Sequence, residues 1–490
     1  MRMRRVAVGL LALVLLLPLA LYAAYFPLTR WLLSGPKLRA IINAHPESFR
    51  IDWDEAVSPR PGHVRLRNLR LRGSDPNVQW AIDLEEAELD YSLVALLHRT
   101  FQCTRLVGSG LSFALRSKIE PSKVETADVR LLPPIPGFSD PPLKKEGEVF
   151  RLEPNPFHID VRGVSIDRAE SLWVNQLHYR GAARVSGGFY LWPTRLARID
   201  DAVLQWDGGA LTVGKSPDRV AFSGKLATSS NAFEPINAPM PRALREFRLK
   251  LDLDLSTEGL RAVEEYVRFP EGVRLEGKGP KATVSLASEQ GVANGKVTLA
   301  VRGGAARTRT YRLTGDLDAS VPIRRWDLTG PVSFDASGVR VALAHVHASG
   351  ADEAREWWGT FEAPRAKIGP VASGRIEAHC RDARPLLALL NVNLPGWTKG
   401  LLKLDDLRAA AAVSAAPGEI RVRDLEATGD KFRVQGQYAH DGKTNDGAFL
   451  FEQGILIVGV EVGPTGTKLR PLFAKQWYAK AMKEGAGKAT

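Results

Sequence analysis

The chain has 490 residues, 44% hydrophobic and 25% charged, ordinary globular values that exclude wholesale disorder. A formal net charge of +12 points to anionic partners. Cys103 and Cys380 are its only cysteines, which excludes a disulfide framework and leaves open whether the two pair.

In chain order, the first element is apolar. Val6 to Thr29 contains no charged side chain; Arg2, Arg4 and Arg5 precede it, and Arg30, Lys37 and Arg39 follow. At ~1.5 Å per residue about twenty apolar residues cross a hydrocarbon core, so residues 1–30 are predicted to form one transmembrane anchor. Val6, Leu10, Val14, Leu17, Leu21, Tyr25 and Leu28 are its membrane candidates. The competing reading is a cleaved signal peptide, whose apolar region runs only about 7–15 residues before a small-residue site. Bulky Leu21, Tyr22, Tyr25 and Phe26 occupy that place here. The short arginine-bearing arm favours a cytoplasmic N-terminus and places the rest of the chain beyond the membrane. Nucleic acid is then set aside as a partner, and an anionic membrane surface or acidic envelope polymer takes its place.

Residues 31–120 read as an N-terminal β unit. In Val64-Arg-Leu-Arg-Asn-Leu-Arg-Leu71 the apolar alternation slips by one residue at Arg67-Asn68. The slip recurs at Arg162-Gly163 within Ile159–Ile166, at Arg423-Asp424 within Ile420–Ala427, and more weakly through Val339, Val341, Ala344 and Val346. One extra residue in a strand is a β-bulge, which keeps both halves on one core face while bending the sheet. Aromatic-rich segments follow these copies: Trp80-Ala-Ile-Asp-Leu84, Leu172-Trp-Val174 and Trp357-Trp358, predicting a repeated hairpin. The arginines Arg65, Arg67, Arg70 and Arg72 read as the wet face of a strand, with lipid headgroups as a second option.

Residues 121–156, rich in proline, are predicted to be a loop or linker with little to bury, and residues 157–470 a repetitive β-groove body. Within it Phe247-Arg-Leu-Lys-Leu-Asp-Leu-Asp-Leu255 alternates strictly, placing Phe247, Leu249, Leu251, Leu253 and Leu255 on one face. Val297, Leu299 and Val301 continue the pattern, as do Leu313 and Leu317 and the segment Phe432–Tyr438. Helices are few: Leu93–Leu97 capped by Ser92, Leu386–Leu390 after Pro385, and Gly259–Val267. Residues 471–490 are predicted to form an amphipathic helix that either lies on a membrane or packs on the sheet.

Such strands require an antiparallel, curved sheet with one apolar face. That face either forms a closed sandwich core or lines an open trough suited to acyl chains, and periodicity alone does not separate the two. No catalytic signature is present. His345 and His347, with Asp352 and Glu353, lack a third metal ligand at firm spacing. His379 and Cys380 are neighbours in a strand and point to opposite faces. The expectation is therefore a protein that is not an enzyme and carries no cofactor and no metal.

The anchor, the bulged motif Val64–Leu71, the segment Trp80–Leu97 and Leu404-Asp-Asp-Leu-Arg with Ile420–Gly429 together resemble the bacterial AsmA-like envelope proteins. The resemblance covers most of the chain loosely, and the chain is shorter than the members thought to bridge the periplasm. It implies an inner-membrane anchor and a periplasmic, curved β structure. It further implies a hydrophobic channel that moves phospholipid toward the outer membrane; the strand pattern offers Phe247, Leu249, Leu251, Leu253, Leu255, Val297, Leu299, Val301, Leu313 and Leu317 as its candidate lining. The alternative is a non-catalytic envelope scaffold that binds other proteins through exposed sheet edges.

Overall fold

The computed structural model describes residues 22–45, 48–124, 129–145, 157–193, 195–214, 219–235, 240–258, 274–307, 311–350, 355–382, 405–442, 444–463 and 466–487. Val6, Leu10, Val14, Leu17 and Leu21 lie outside them, as do the helices expected at Gly259–Val267 and Leu386–Leu390 and the pair Asp352 and Glu353. Tyr25 and Leu28 fall in a helix over 22–34. Among the described residues no helix is long and apolar enough to cross a membrane. The described residues are mostly β, with 24 strands, and fall into two compact units, 1–250 and 251–490.

In the first unit the strands are β1 (Phe49–Asp52), β2 (Glu55–Arg60), β3 (His63–Ser74), β4 (Val78–Tyr91), β5 (Thr100–Ser109), β6 (Leu111–Ser117), β7 (His158–Val174), β8 (Leu177–Trp192), β9 (Leu196–Val213) and β10 (Val220–Ser230). β5 and β6 are two halves of one strand position, broken at Gly110, whose φ is +67°. Together they lie between β4 and β7. Their pairing with β7 is parallel, which corrects the expectation of a purely antiparallel meander. The physical reason is the connection: residues 118–157 return the chain to the end where β5 began, so β7 starts in the same direction.

Among its described residues that connection has no strand, yet it is not bare. Ile135 is 2% exposed, Pro133 and Pro142 are fully buried, and the Arg116 side chain beneath them is 1% exposed. Arg116 donates to Gln79 Oε1 (2.9 Å), to the carbonyls of Pro133 (3.1 Å) and Ser139 (3.0 Å), and to the Asp140 carboxylate. A buried guanidinium with an acceptor for each nitrogen thus ties the proline-rich loop to β4 and β6, so the sequence-based view that it has little to bury does not hold.

The second unit, entered within β11 (Phe247–Thr257), continues through β12 (Arg274–Glu289), β13 (Val292–Arg307), β14 (Tyr311–Asp327), the short β15 (Phe334–Asp335), β16 (Val339–Gly350), β17 (Arg355–Ile368), β18 (Ala372–Asp382), β19 (Asp405–Ala416), β20 (Glu419–Thr428), β21 (Arg433–His440), β22 (Asn445–Gln453), β23 (Leu456–Gly463) and β24 (Gly466–Arg470). From β12 to β24 successive long strands pair antiparallel.

The bulges fall where the alternation slips. Asn68, Gly163, His345 and Asp424 have φ of 51°, 58°, 51° and 52°, the left-handed region that asparagine, aspartate, histidine and glycine tolerate best. Arg162 and Gly163 lie opposite Gly188 alone, and Val422 to Leu425 against Tyr438 to Gly436 repeats the arrangement. Leu343 to Val346 against Gly359 to Trp357 does the same at the weaker copy. Asn68 differs: Arg67 pairs with Glu86 and Leu69 with Leu84, so the ladder skips Asn68 and Glu85 without a change of register. The hairpin unit holds for β3–β4 and β16–β17, but Leu172–Val174 simply continue β7.

Candidate functional site

Because each bulge absorbs its extra residue, apolar side chains stay on one face across many strands. In the second unit a directly paired row runs Ala282, Leu299, Ala319, Val341, Phe361, Ala378, Ala409, Ala427, Val434, Phe451 and Val458, from β12 to β23. A second row alongside it runs Val301, Leu317, Leu343, Gly359, Cys380 and Leu407. The indole of Trp357 fills the space over Gly359, where an added Cβ would come within 2.7 Å of the ring, and its Nε1 donates to the Asp382 carbonyl at 2.7 Å.

The same strands turn polar residues to the other side: Thr283, Thr298, Ser320, Arg340, Glu362 and Glu377 are paired in turn. The terminal helix Ala474–Gly487 packs on that polar side. Trp477 sits against Gly459, and Lys475 pairs with Glu452 at 2.8 Å, both strand residues alternating with Val458 and Phe451 of the apolar row. Of the two placements foreseen for residues 471–490, packing on the sheet is therefore the observed one.

The sequence-predicted lining residues sit as follows. Leu251, Leu253 and Leu255 of β11 are half-buried and alternate with exposed Asp252 and half-buried or exposed neighbours, while Asp252 accepts from Ser285 of β12 at 2.7 Å on the polar side. Val297, Leu299 and Leu317 are also half-buried, and Val301 and Leu313 are deeper at 5% and 7%. Phe247 and Leu249 are half-buried in the part of β11 that belongs to the first unit, where Phe247 packs 5.1 Å from the Phe233 ring. Leu313 joins Val346, Trp357, Cys380, Leu407, Ala427 and Phe432 in one buried cluster.

Residues not foreseen as lining lie further along the same rows: Val341, Leu343, Phe361, Leu407, Val434, Phe451 and Val458, of which Val341 and Val434 already stood in the alternating segments. The first unit has its own row, Leu66, Ala87, Gly108, Ile166, Val185, Leu204 and Leu226. The period-2 signal was present in all of these strands, and the bulges show how to carry it past each slip.

Electrostatics on the polar side are local. Arg65, Arg67, Arg70 and Arg72 pair with Glu88, Glu55, Asp52 with Asp54, and Asp83 respectively, at 2.6 to 3.6 Å. Hydrogen bonds from Asn68 and Arg70 hold Asp54 below its usual pKa. At the bulges the Gly303 N–H and then His345 lower Asp316, and His379, 2.7 Å away, lowers Asp406. His379 faces this side while Cys380 is buried on the other, as strand alternation requires. Both cysteines are free, and burial pushes each thiol up to about 11.

What the arrangement offers chemically is a long strip of paired apolar side chains on one face of the sheet. Comparison with protein-family models, with curated proteins and with solved structures returned no match to this chain.

Proposed function

We propose that this is an inner-membrane-anchored, periplasmic protein of the AsmA-like kind, whose apolar sheet face binds or conducts phospholipid between membranes in support of outer-membrane biogenesis. The observation that carries the reading is the paired apolar row from Ala282 to Val458, many of whose members remain half-buried while the terminal helix packs on the opposite, polar face. An apolar strip of that length in water is unfavourable unless something covers it, and acyl chains match its chemistry. The anchor candidates Val6–Leu28 supply a route by which lipid reaches it.

Photo-crosslinking side chains placed at Leu299 and Phe361, in cells, should capture phospholipid, and one at Thr298 on the polar face should not. Lipid mass spectrometry of the purified protein identifies the species. Equal capture at Thr298, or no lipid at any position, would overturn the proposal. The scaffold reading has one observation in its favour: β24 is exposed along its whole length and pairs, among the described residues, with β23 alone. Protein adducts at Lys468 without lipid at Leu299 would support it instead.

A further inference from the structure

The helix over 22–34 and its continuation Pro36–Ile42 are keyed along the β1–β2 edge of the first unit at successive points. Tyr25 Oη lies 2.6 Å from Ser58 Oγ, the Leu33 carbonyl accepts from Trp53 Nε1 at 3.1 Å, and Asn43 bonds both backbone groups of Ile51. Those contacts give the direction: Tyr25 is at the end of the sheet where β2 turns into β3, and the chain before residue 22 joins there. At the same end the Tyr91 N–H donates to the Gly62 carbonyl, and two residues later begins the short helix Leu93–Leu97, capped by Ser92 Oγ at 3.1 Å from Ala95 N.

That helix is apolar in every position and turns outward. Val94 is 67% exposed, Leu97 83% and Leu93 40%. Ala95 and Leu96 are half-buried, but Leu93, Val94 and Leu97 project into water, a poor environment for apolar side chains. Two arginines lie near it: Arg99, two residues past the helix, and Arg60 at the turn from β2 to β3, which also reaches Asp90 of β4 at 3.2 Å; His63 of that turn is buried between Asp90 (2.7 Å) and Glu88 (3.0 Å). An apolar tip with arginine beside it fits the boundary of an anionic bilayer, where leucine and valine enter below the headgroups and arginine stays among them.

We infer that Leu93–Leu97 is a second membrane contact, a foot that seats this end of the first unit on the anionic surface of the membrane from which the N-terminal segment emerges. The inference rests on the anchor reading for which membrane it meets.

The test uses the full chain in nanodiscs containing phosphatidylglycerol, with a polarity-sensitive fluorophore on Val94→Cys, Leu97→Cys, Tyr22→Cys or Ser74→Cys. Native Cys103 and Cys380 are buried and stay unlabelled in the folded protein. Blue-shifted emission and quenching by doxyl lipid are expected at Val94 and Leu97, with none at Ser74 on the far end of β3, and with weaker quenching when all the lipid is zwitterionic. Quenching at Tyr22 but not at Val94 or Leu97 overturns the foot while leaving the anchor standing. Quenching at Val94 and Leu97 without Tyr22 supports the foot and removes the anchor. No quenching at any of the three overturns both.

Discussion

Leu299→Asp distinguishes an open apolar face from a closed core. Leu299 is half-buried and has only methyl side chains, Ala282 and Ala319, beside it across the two ladders. Removing it forfeits about half of the ~2–3 kcal/mol that full burial of a leucine contributes, and the new carboxylate, flanked by small neighbours, keeps its water. The expected cost is therefore about 1–2 kcal/mol, against a domain stability on the order of 5–15 kcal/mol. Leu407 is the contrasting position: it is 6% exposed within the cluster of Trp357, Cys380, Ala427 and Phe432. An aspartate there loses the whole burial and adds an unpaired buried charge, several kcal/mol more, enough to unfold the unit. Urea unfolding followed by tryptophan fluorescence, with lipid mass spectrometry on the same samples, reads both effects. Leu299→Asp should fold with a modestly lowered midpoint and carry less lipid, and Leu407→Asp should not fold. If Leu299→Asp is as damaging as Leu407→Asp, the face is covered and the trough is wrong.

Four other outcomes follow from particular contacts. Gly163→Ala should lower stability by about 1–2 kcal/mol in thermal unfolding, the cost of a left-handed non-glycine residue, since its φ is 58° and a Cβ there meets the Thr104 carbonyl at 3.0 Å. Arg116→Met leaves Gln79 Oε1 and the Pro133 and Ser139 carbonyls without their donor; at ~1–3 kcal/mol per buried unsatisfied group the loss should be at least about 3 kcal/mol, and limited proteolysis should then cut within residues 129–145. Iodoacetamide at mildly alkaline pH should leave Cys103 and Cys380 unmodified until the protein is unfolded, because burial holds both thiols near 11 and the thiolate is scarce. Asp54, Asp90, Asp316 and Asp406 have folded pKa values below their ordinary one. Their contribution is thus complete above the unfolded value near ~3.9 and disappears as pH falls through the lower folded values. The urea midpoint should show no loss from these groups at neutral pH and a decline below about pH 4; a decline beginning near neutrality would point to other groups.

Strand identity and bulge placement were legible in the chain itself, because period 2 and a one-residue slip are local properties. Leu249 through Leu255 alternate in the structure as they do on paper, and Gly163 and Asp424 interrupt pairing where the apolar pattern breaks, each residue type being one that tolerates a left-handed backbone. Ser92 as a helix cap was legible for the same reason. Partnership between distant segments was not. That β7 pairs parallel with β5 and β6 depends on where a connection of residues 118–157 brings the chain back, and proline content says nothing of that. Arg116 looks like any strand arginine until Gln79, Pro133, Ser139 and Asp140 converge on it from elsewhere in the chain. The side on which residues 474–487 dock was likewise undetermined, since the helix has apolar residues to offer either a membrane or a sheet; Gly459, by leaving room for the Trp477 ring on the polar face, decided it. Local backbone chemistry fixes elements and their faces, whereas only the tertiary structure, by choosing which faces meet, determines which apolar surface is left uncovered.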